Sequence, residues 1–225
     1  MIEKLPEFHI SLLGKDLSPV NSVKDLGVTF DKHLTFNEHT INLVSSCIST
    51  LAQISRVKHI FRNELITMIS ALVFSKLFYC SSVWSNITIS NVNKLQKVQN
   101  FAARIVSNTR KYDHITPVLK NLKWLPVKTY LWYRDAILAF KCMTGLAPNY
   151  LSSKFINRGD VSKRNTRNSH LLNIPLFKTA TGQRSFSYRV VSIWNNLPTN
   201  LKLCNNVASF KSNLKKHLLK EFLNS

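Results

Sequence analysis

The chain has 225 residues, 44% of them hydrophobic, with 5 Gly and 7 Pro. That is enough apolar material for one large core or two small ones, and too little glycine and proline for long flexible linkers. Its 31 Lys and Arg against 11 Asp and Glu give a formal net charge of +20, and a domain that basic repels itself unless a polyanion neutralises it. Nucleic acid is the commonest such partner; a ribosomal or membrane-surface protein, or plain solubility, is the blander reading. The imbalance is steepest from Leu65 to Lys220, where Asp113, Asp135 and Asp160 face 24 Lys and Arg. Cys47, Cys80, Cys142 and Cys204 lack the short ligand spacing of a zinc site. They read as reduced core residues, which points to the cytoplasm or nucleus. The first 16 residues contain no apolar run of signal-peptide length. The most apolar run, Leu65 to Trp84, is interrupted by Lys76 and by residues 79–82. It suits a buried helix better than a membrane span, and no membrane partner is expected.

In chain order, residues 8–13 and 23–30 alternate as strands, joined through Gly14-Lys15 and Ser18-Pro19 turn chemistry. So small a sheet is marginal alone, so it is either the edge of something larger or a hairpin packed on the helices behind it. Thr35 and Glu38 have capping-box spacing. Ile41, Val44, Ile48, Leu51 and Ile54 then recur at helical spacing to about Lys58. Asn63 is placed to cap a second helix through Leu65, Ile69, Leu72, Val73 and Leu77. Ser90 opens a third, with Val92, Leu95, Val98, Phe101, Ala102 and Ile105 inward and Lys94, Lys97 and Arg104 outward. Three amphipathic helices with short joins make a bundle.

Past Asn108 the elements shorten. Thr116-Pro117 starts a small helix, and Leu125-Pro126 starts a longer one to about Met143, which Gly145 ends. Pro148 begins a short turn ending near Phe155, and the polar, basic stretch 157–170 reads as a mobile loop. Residues 171–175 read as a short extended piece, Ser185 to Leu197 as a helix, and Val207 to Phe222 as a last basic amphipathic helix.

No catalytic arrangement is legible. Two-metal phosphoryl transfer needs clustered carboxylates, whereas the Asp residues are scattered and Asp25 and Asp31 show no ligand spacing. There is no Gly-x-Ser-x-Gly elbow, the five glycines are too dispersed for a phosphate loop, and His33 with His39 reads as a surface pair at a helix start. No catalytic residue, metal, cofactor or small-molecule substrate is expected. In the C-terminal third, Lys154, Arg158, Lys163, Arg164, Arg167, Lys178, Arg184 and Arg189 interleave with Phe155, Phe177, Phe186 and Tyr188. Cations displace counterions from phosphates and aromatic rings stack on unpaired bases; alternatively the rings, Phe186 and Trp194 above all, are core and only the cations are exposed. Lys94, Lys97 and Arg104 are the candidate duplex contacts from the third helix, and Arg164, Arg167, Lys178 and Arg184 form a second patch.

Several strings are less generic. SVKDLGVTFDKHLTFNEHT (22–40) resembles the end of the palm and the start of the thumb of a non-LTR (LINE-type) retrotransposon reverse transcriptase. NKLQKVQNFAARIVSN (93–108) is similar to the basic thumb helix of that family. Residues 124–155, RNTRNS (164–169) and TGQRSFSYRVVSIWNNLP (181–198) are similar to the C-terminal region of jockey-like elements. The resemblance covers residues 8–222 in order. It departs from the family in lacking the polymerase motif, an aromatic residue followed by paired aspartates, and the fingers and endonuclease. The resemblance implies a palm-end β segment (1–34), a thumb-like helical bundle (35–108) and a basic helical C-terminal region (109–225). The expected fold is mainly α with a small N-terminal β hairpin, a three-helix thumb-like bundle and a second small helical region. The expected function is a fragment of an RNA-directed DNA polymerase that lacks the catalytic carboxylates and binds RNA or an RNA–DNA duplex. An active polymerase, if the reading frame extends upstream, and a helical protein-interaction module derived from the element are the alternatives.

Overall fold

The computed structural model describes residues 10–161 and 167–224. Strands β1 (Ile10–Leu12) and β2 (Lys15–Leu17) pair antiparallel around Leu13-Gly14, and β3 (Ser22–Asp25) and β4 (Val28–Asp31) around Leu26-Gly27. Both central residues of each turn have positive φ (Leu13 51°, Gly14 76°, Leu26 44°, Gly27 86°). This mirror-image turn matches the right-handed twist of two-residue hairpins. The expected single strand over 23–30 is therefore itself a hairpin, and the two hairpins form separate sheets. Only β4 turns into the protein: Val28 is buried and Phe30 packs on the core behind it, while β1 and β2 are exposed throughout.

Helix α1 (Asn37–Val57) does not begin with the expected capping box. Its N-cap is Phe36 in the left-handed region, with no side-chain cap of its own. Asp31 instead ties down the turn that leads into the helix. One carboxylate oxygen accepts from the backbone N–H of His33 (3.1 Å) and Thr35 (3.0 Å). The other accepts from the N–H of Phe36 (2.6 Å) and the Thr35 hydroxyl (3.1 Å). The Thr35 hydroxyl thus donates to the aspartate and accepts from Asn37 N–H (3.4 Å), not from Glu38 N–H as a capping box requires. Burial works against ionisation of Asp31, but these donors outweigh it and hold the carboxyl below its ordinary value of 3.8. Asp31→Ala is expected to destabilise the fold by about 1–2 kcal/mol at pH 7, the usual worth of hydrogen bonds to a partly exposed carboxylate. A depressed folded-state pKa stabilises above the unfolded value and is lost as pH falls through the folded one. The gap between variant and wild type in urea unfolding should therefore close as pH falls below the ordinary carboxyl value of 3.8; a gap that persists in strong acid would mean the ionised carboxylate is not what Asp31 contributes.

The buried face of α1 is Thr40, Cys47, Leu51 and Ile54, with His39 at its start, whereas Ile41 and Ile48 are more than 40% exposed. Of the five residues at helical spacing, Val44, Leu51 and Ile54 pack on the core and Ile41 and Ile48 do not, because the inward face of α1 is the one that meets β4 and residues 89–107. The second helix is interrupted in kind. Leu65–Ile69 is α2, Ser70–Phe74 is a π-helical turn, and Ser75–Leu77 is α3. Its buried residues are Leu65, Ile69, Val73 and Leu77, four apart throughout. Four residues advance an α-helix by about 400°, so such a stripe drifts by about 40° per repeat; one wider π turn straightens it. Leu72, also named in this helix, is exposed. Glu64, not Asn63, is the N-cap.

A left-handed Cys80 (φ 46°) then starts the one-turn α4 (Ser81–Trp84), which drops Trp84 fully into the core. Helix α5 (Ile89–Ser107) is capped by the Thr88 hydroxyl, which accepts from Asn91 N–H. Its buried stripe is Val92, Leu95, Val98, Ala102 and Ile105. After α6 (Thr116–Asn121) comes α7 (Val127–Met143), with Pro126 as its N-cap. Helix α5 fixes the start of α7: the Gln96 side-chain oxygen accepts from Val127 N–H (2.8 Å) and Gln99 donates to the Leu125 carbonyl (2.9 Å).

The remaining helices are α8 (Asn149–Ser152), α9 (Arg158–Val161), α10 (Ala180–Gln183), α11 (Phe186–Asn196), α12 (Thr199–Lys202) and α13 (Val207–Asn224). The described parts of stretch 157–170 are not the expected loop. Arg158 N–H donates to the Leu171 carbonyl (2.8 Å) and Gly159 N–H to the Ser169 carbonyl (2.9 Å), around an antiparallel bridge between Asn157 and Leu172. The backbone pairs with its own return, a possibility that polar composition does not reveal.

The fold is mainly α, about 60% helical, with the β hairpins confined to its N-terminus. Two apolar cores run through it. The first joins β4, α1, the π-turn helix, α4 and α5 around Leu51, Ile69, Trp84 and Leu95. The second joins α7, α11, α12 and α13 around Phe140, Ile193, Phe210 and Leu214. Helix α7 belongs to both, with Val127 and Leu131 in the first and Tyr133, Ala136 and Phe140 in the second.

Candidate nucleic-acid interface

Residues seven apart on a helix share a face. Lys97 and Arg104 on α5 obey this spacing, and both open onto a cleft of about 680 Å³ between α5, the end of α1 and the loop after α5. The structure adds two cations to them. Lys58, just past the end of α1, and Lys111, in the loop, line the same cleft, and no Asp or Glu does. The floor is Phe101 and Ile105, with Ser55, Asn100 and Thr109 as neutral polar groups.

Local geometry holds these cations in place. Asn108 takes the left-handed conformation (φ 55°) that ends α5, and its side-chain oxygen accepts from the Lys58 ammonium (2.8 Å). Arg104 donates to the carbonyls of Arg110 (3.2 Å) and Asp113 (3.1 Å), which folds the loop back over the helix end. The Asp113 carboxylate accepts from Arg110 N–H (3.0 Å), so the acid closest in sequence is turned to the loop's own backbone. Two of the five donors of the Arg104 guanidinium are thus used and the rest remain. Lys97 is exposed and has no hydrogen-bond or ion-pair partner among the described residues. A cleft lined by four cations, without a carboxylate, is chemically suited to phosphates.

The other sequence-derived candidates fall elsewhere. Lys94 lies outside this cleft, donating to the side chain of Asn91 (3.1 Å). Arg164 lies outside the described residues. Arg167 and Lys178 are exposed on separate segments, the one running from residue 167 to 173 and the turn before α10. Arg184 is tied inward: it donates to the His33 carbonyl (3.2 Å) and the Thr181 hydroxyl (3.4 Å), clamping α10 to the N-terminal hairpin region. The aromatic rings interleaved with these cations pair with one another, Phe155 with Phe186 and Phe177 with Tyr188. Gly182 is required where it is, because a Cβ there would meet the Phe177 ring at 2.8 Å.

Arg189 also turns inward. It forms an ion pair with Asp135 (3.2 Å) and donates to the Ser82 carbonyl, the Ser85 hydroxyl and the Arg184 carbonyl. Burial pushes the Asp135 carboxyl up, and Arg189 and the serine hydroxyls offset this only in part. His39 is buried against Trp84, and burial together with nearby Lys24 lowers its pKa. Among the described residues no three His, Cys, Asp or Glu side chains gather into a group that could hold a metal ion. No helix among them is long and apolar enough to cross a membrane.

Lys58 and Lys111 were not legible as site residues. The seven-residue spacing of Lys97 and Arg104 was visible, but nothing in the sequence says that the end of α1 lies beside α5. Comparison with family models, with curated proteins and with solved structures finds no match to this chain.

Proposed function

We propose that this chain binds RNA or an RNA–DNA duplex through the sugar–phosphate backbone, as the thumb and C-terminal region of a polymerase of the non-LTR retrotransposon type. It supplies grip rather than catalysis. The observation that carries the reading is the cleft between α1 and α5, whose Lys58, Lys97, Arg104 and Lys111 face no carboxylate. The overall charge of +20 supports it from a distance, since a basic domain draws a polyanion from all sides while the cleft gives it a place to lie. The resemblance of residues 93–108 to the basic thumb helix of those elements adds the choice of duplex as ligand.

Backbone contacts release counterions, so binding should weaken steeply and linearly on a log–log plot as salt rises from about 50 to 200 mM, with little sequence preference. The test is fluorescence anisotropy with a labelled RNA–DNA hybrid. Lys97→Ala with Arg104→Ala is expected to weaken binding equally across sequences and to reduce the salt slope by about 2, one per lost phosphate contact. Absence of binding at 50 mM salt, or a slope unchanged in the double variant, overturns the reading.

A further inference from the structure

We infer that a second cleft, walled by Phe74, Trp124 and Tyr130 and edged by Lys123, Arg134 and Lys215, binds a nucleoside monophosphate, its base unstacked among the rings and its phosphate on the cations. The cleft measures about 670 Å³, within the size range of small-ligand sites, and lies apart from the α1–α5 cleft. Its rings form a continuous run. Trp124 meets Phe74 edge-on at 4.8 Å, Phe74 lies 6.0 Å from Phe78, and Phe78 lies 4.3 Å from Tyr130. Phe74, Trp124 and Tyr130 are only half-buried, so their surface is open to a ligand, and every base has a π-face to offer it.

The charge argues for which ligand. Lys123 precedes Trp124 in the α6–α7 loop, Arg134 is on α7 and Lys215 on α13, so three separate elements deliver cations to one rim. No Asp or Glu lines the cleft, and none of the three cations has a hydrogen-bond or ion-pair partner among the described residues. Tyr130 and Arg134 also border an adjoining groove of about 370 Å³ that carries Lys141 and Lys211. A chain of phosphates leaving the ring-lined cleft would therefore meet more cations. A purely apolar ligand would leave this charge unused, and a duplex would not offer an unstacked base.

The backbone is irregular at the same place. Ser70 and Phe74 of the π turn, Cys80 (φ 46°) and Lys123 (φ 54°) all line this cleft. Left-handed backbone at residues other than glycine persists only where the surroundings over-determine it, and π turns recur at functional sites.

The free nucleotide and an unpaired residue of a single strand share this chemistry, and Cys80 gives a way to tell them apart. It is exposed at the cleft, whereas Cys47 and Cys142 are buried and Cys204 is half-buried and elsewhere. Iodoacetamide alkylation of Cys80 is followed by peptide mass spectrometry, with Cys204 as internal reference. Saturating AMP or a 5′-phosphorylated tetrauridylate is expected to slow Cys80 at least about tenfold without changing Cys204, with adenosine or inorganic phosphate needing far higher concentrations. Protection by the tetranucleotide at much lower concentration than AMP identifies a single strand as the source; equal potency identifies the free nucleotide. Arg134→Ala with Lys215→Ala should raise the half-protecting concentration about tenfold. Lys97→Ala with Arg104→Ala should leave it unchanged, so failure here is distinguishable from failure of the duplex reading. Unchanged Cys80 alkylation in millimolar AMP and tetranucleotide, or equal protection by a blunt duplex, overturns the inference.

Discussion

Arg189→Leu is expected to destabilise the protein by about 3–5 kcal/mol, the cost of removing one partner of a buried ion pair. Asp135 is 3% exposed. Without Arg189 its carboxylate would keep the Ser85 hydroxyl (2.7 Å) as its close partner, while one of its oxygens already lacks a hydrogen-bond partner. The pair joins α11 to α4 and α7, so its loss loosens the seam between the two cores. The sign of the pH dependence follows from burial, which raises the Asp135 pKa in the folded state. A carboxyl raised in this way stabilises the fold below its unfolded value, and that contribution is lost as pH rises through the folded value. Removing Arg189 takes away the chief group holding the pKa down and raises it further. The deficit of the variant in urea unfolding should therefore be larger at about pH 7.5 than at about pH 5. Adding Asp135→Asn to Arg189→Leu should recover much of the loss, because no unpaired charge is then buried. A deficit independent of pH, with no recovery in the double variant, would mean that packing rather than charge is what Arg189 contributes.

Phe140→Ala is expected to cost a similar amount, about 3–5 kcal/mol, by a different route. Phe140 is fully buried and stacks on Phe210 of α13, ring centres 4.3 Å apart and planes within 18°. Its removal deletes both apolar burial and the stacked partner of the second core. Helix α13 docks chiefly through Phe210, Leu214 and Leu218, so it should loosen first. In native-state hydrogen exchange, α11 and α13 are expected to lose protection while α1 and α5 retain most of theirs. Equal loss across all four helices would show that the two cores unfold as one unit through α7.

The helices were legible wherever local chemistry decides them. The stripe of α5, the prolines at the starts of α6 and α7, the Gly145 stop and the Ser185 cap of α11 are all local signals, and the structure has elements at each. Legibility failed where a distant group intervened. The expected Thr35–Glu38 box did not form because the β4 strand delivers the Asp31 carboxylate to the turn before α1, where it takes the Thr35 hydroxyl and the N–H groups of His33, Thr35 and Phe36. Ile41 and Ile48 turned outward because the inward face of α1 is chosen by what packs on it. The hairpin within 22–31 was missed because Leu-Gly is a weaker turn signal than Asn-Gly.

The sites divide along the same line. Charge, the scattered acids and the seven-residue spacing of Lys97 and Arg104 are properties of the sequence alone. They established a basic, mainly helical chain with one cationic helix face and no legible catalytic cluster. Only the tertiary structure decided which cations remain available. It brought Lys58 and Lys111 to the α5 face, drew Arg184 to the His33 carbonyl and buried Arg189 against Asp135. It also assembled an aromatic cleft from segments that sequence order keeps apart. The physical reason is that a side chain's type sets what it can bond, whereas which partner it meets depends on packing between residues far apart in the chain.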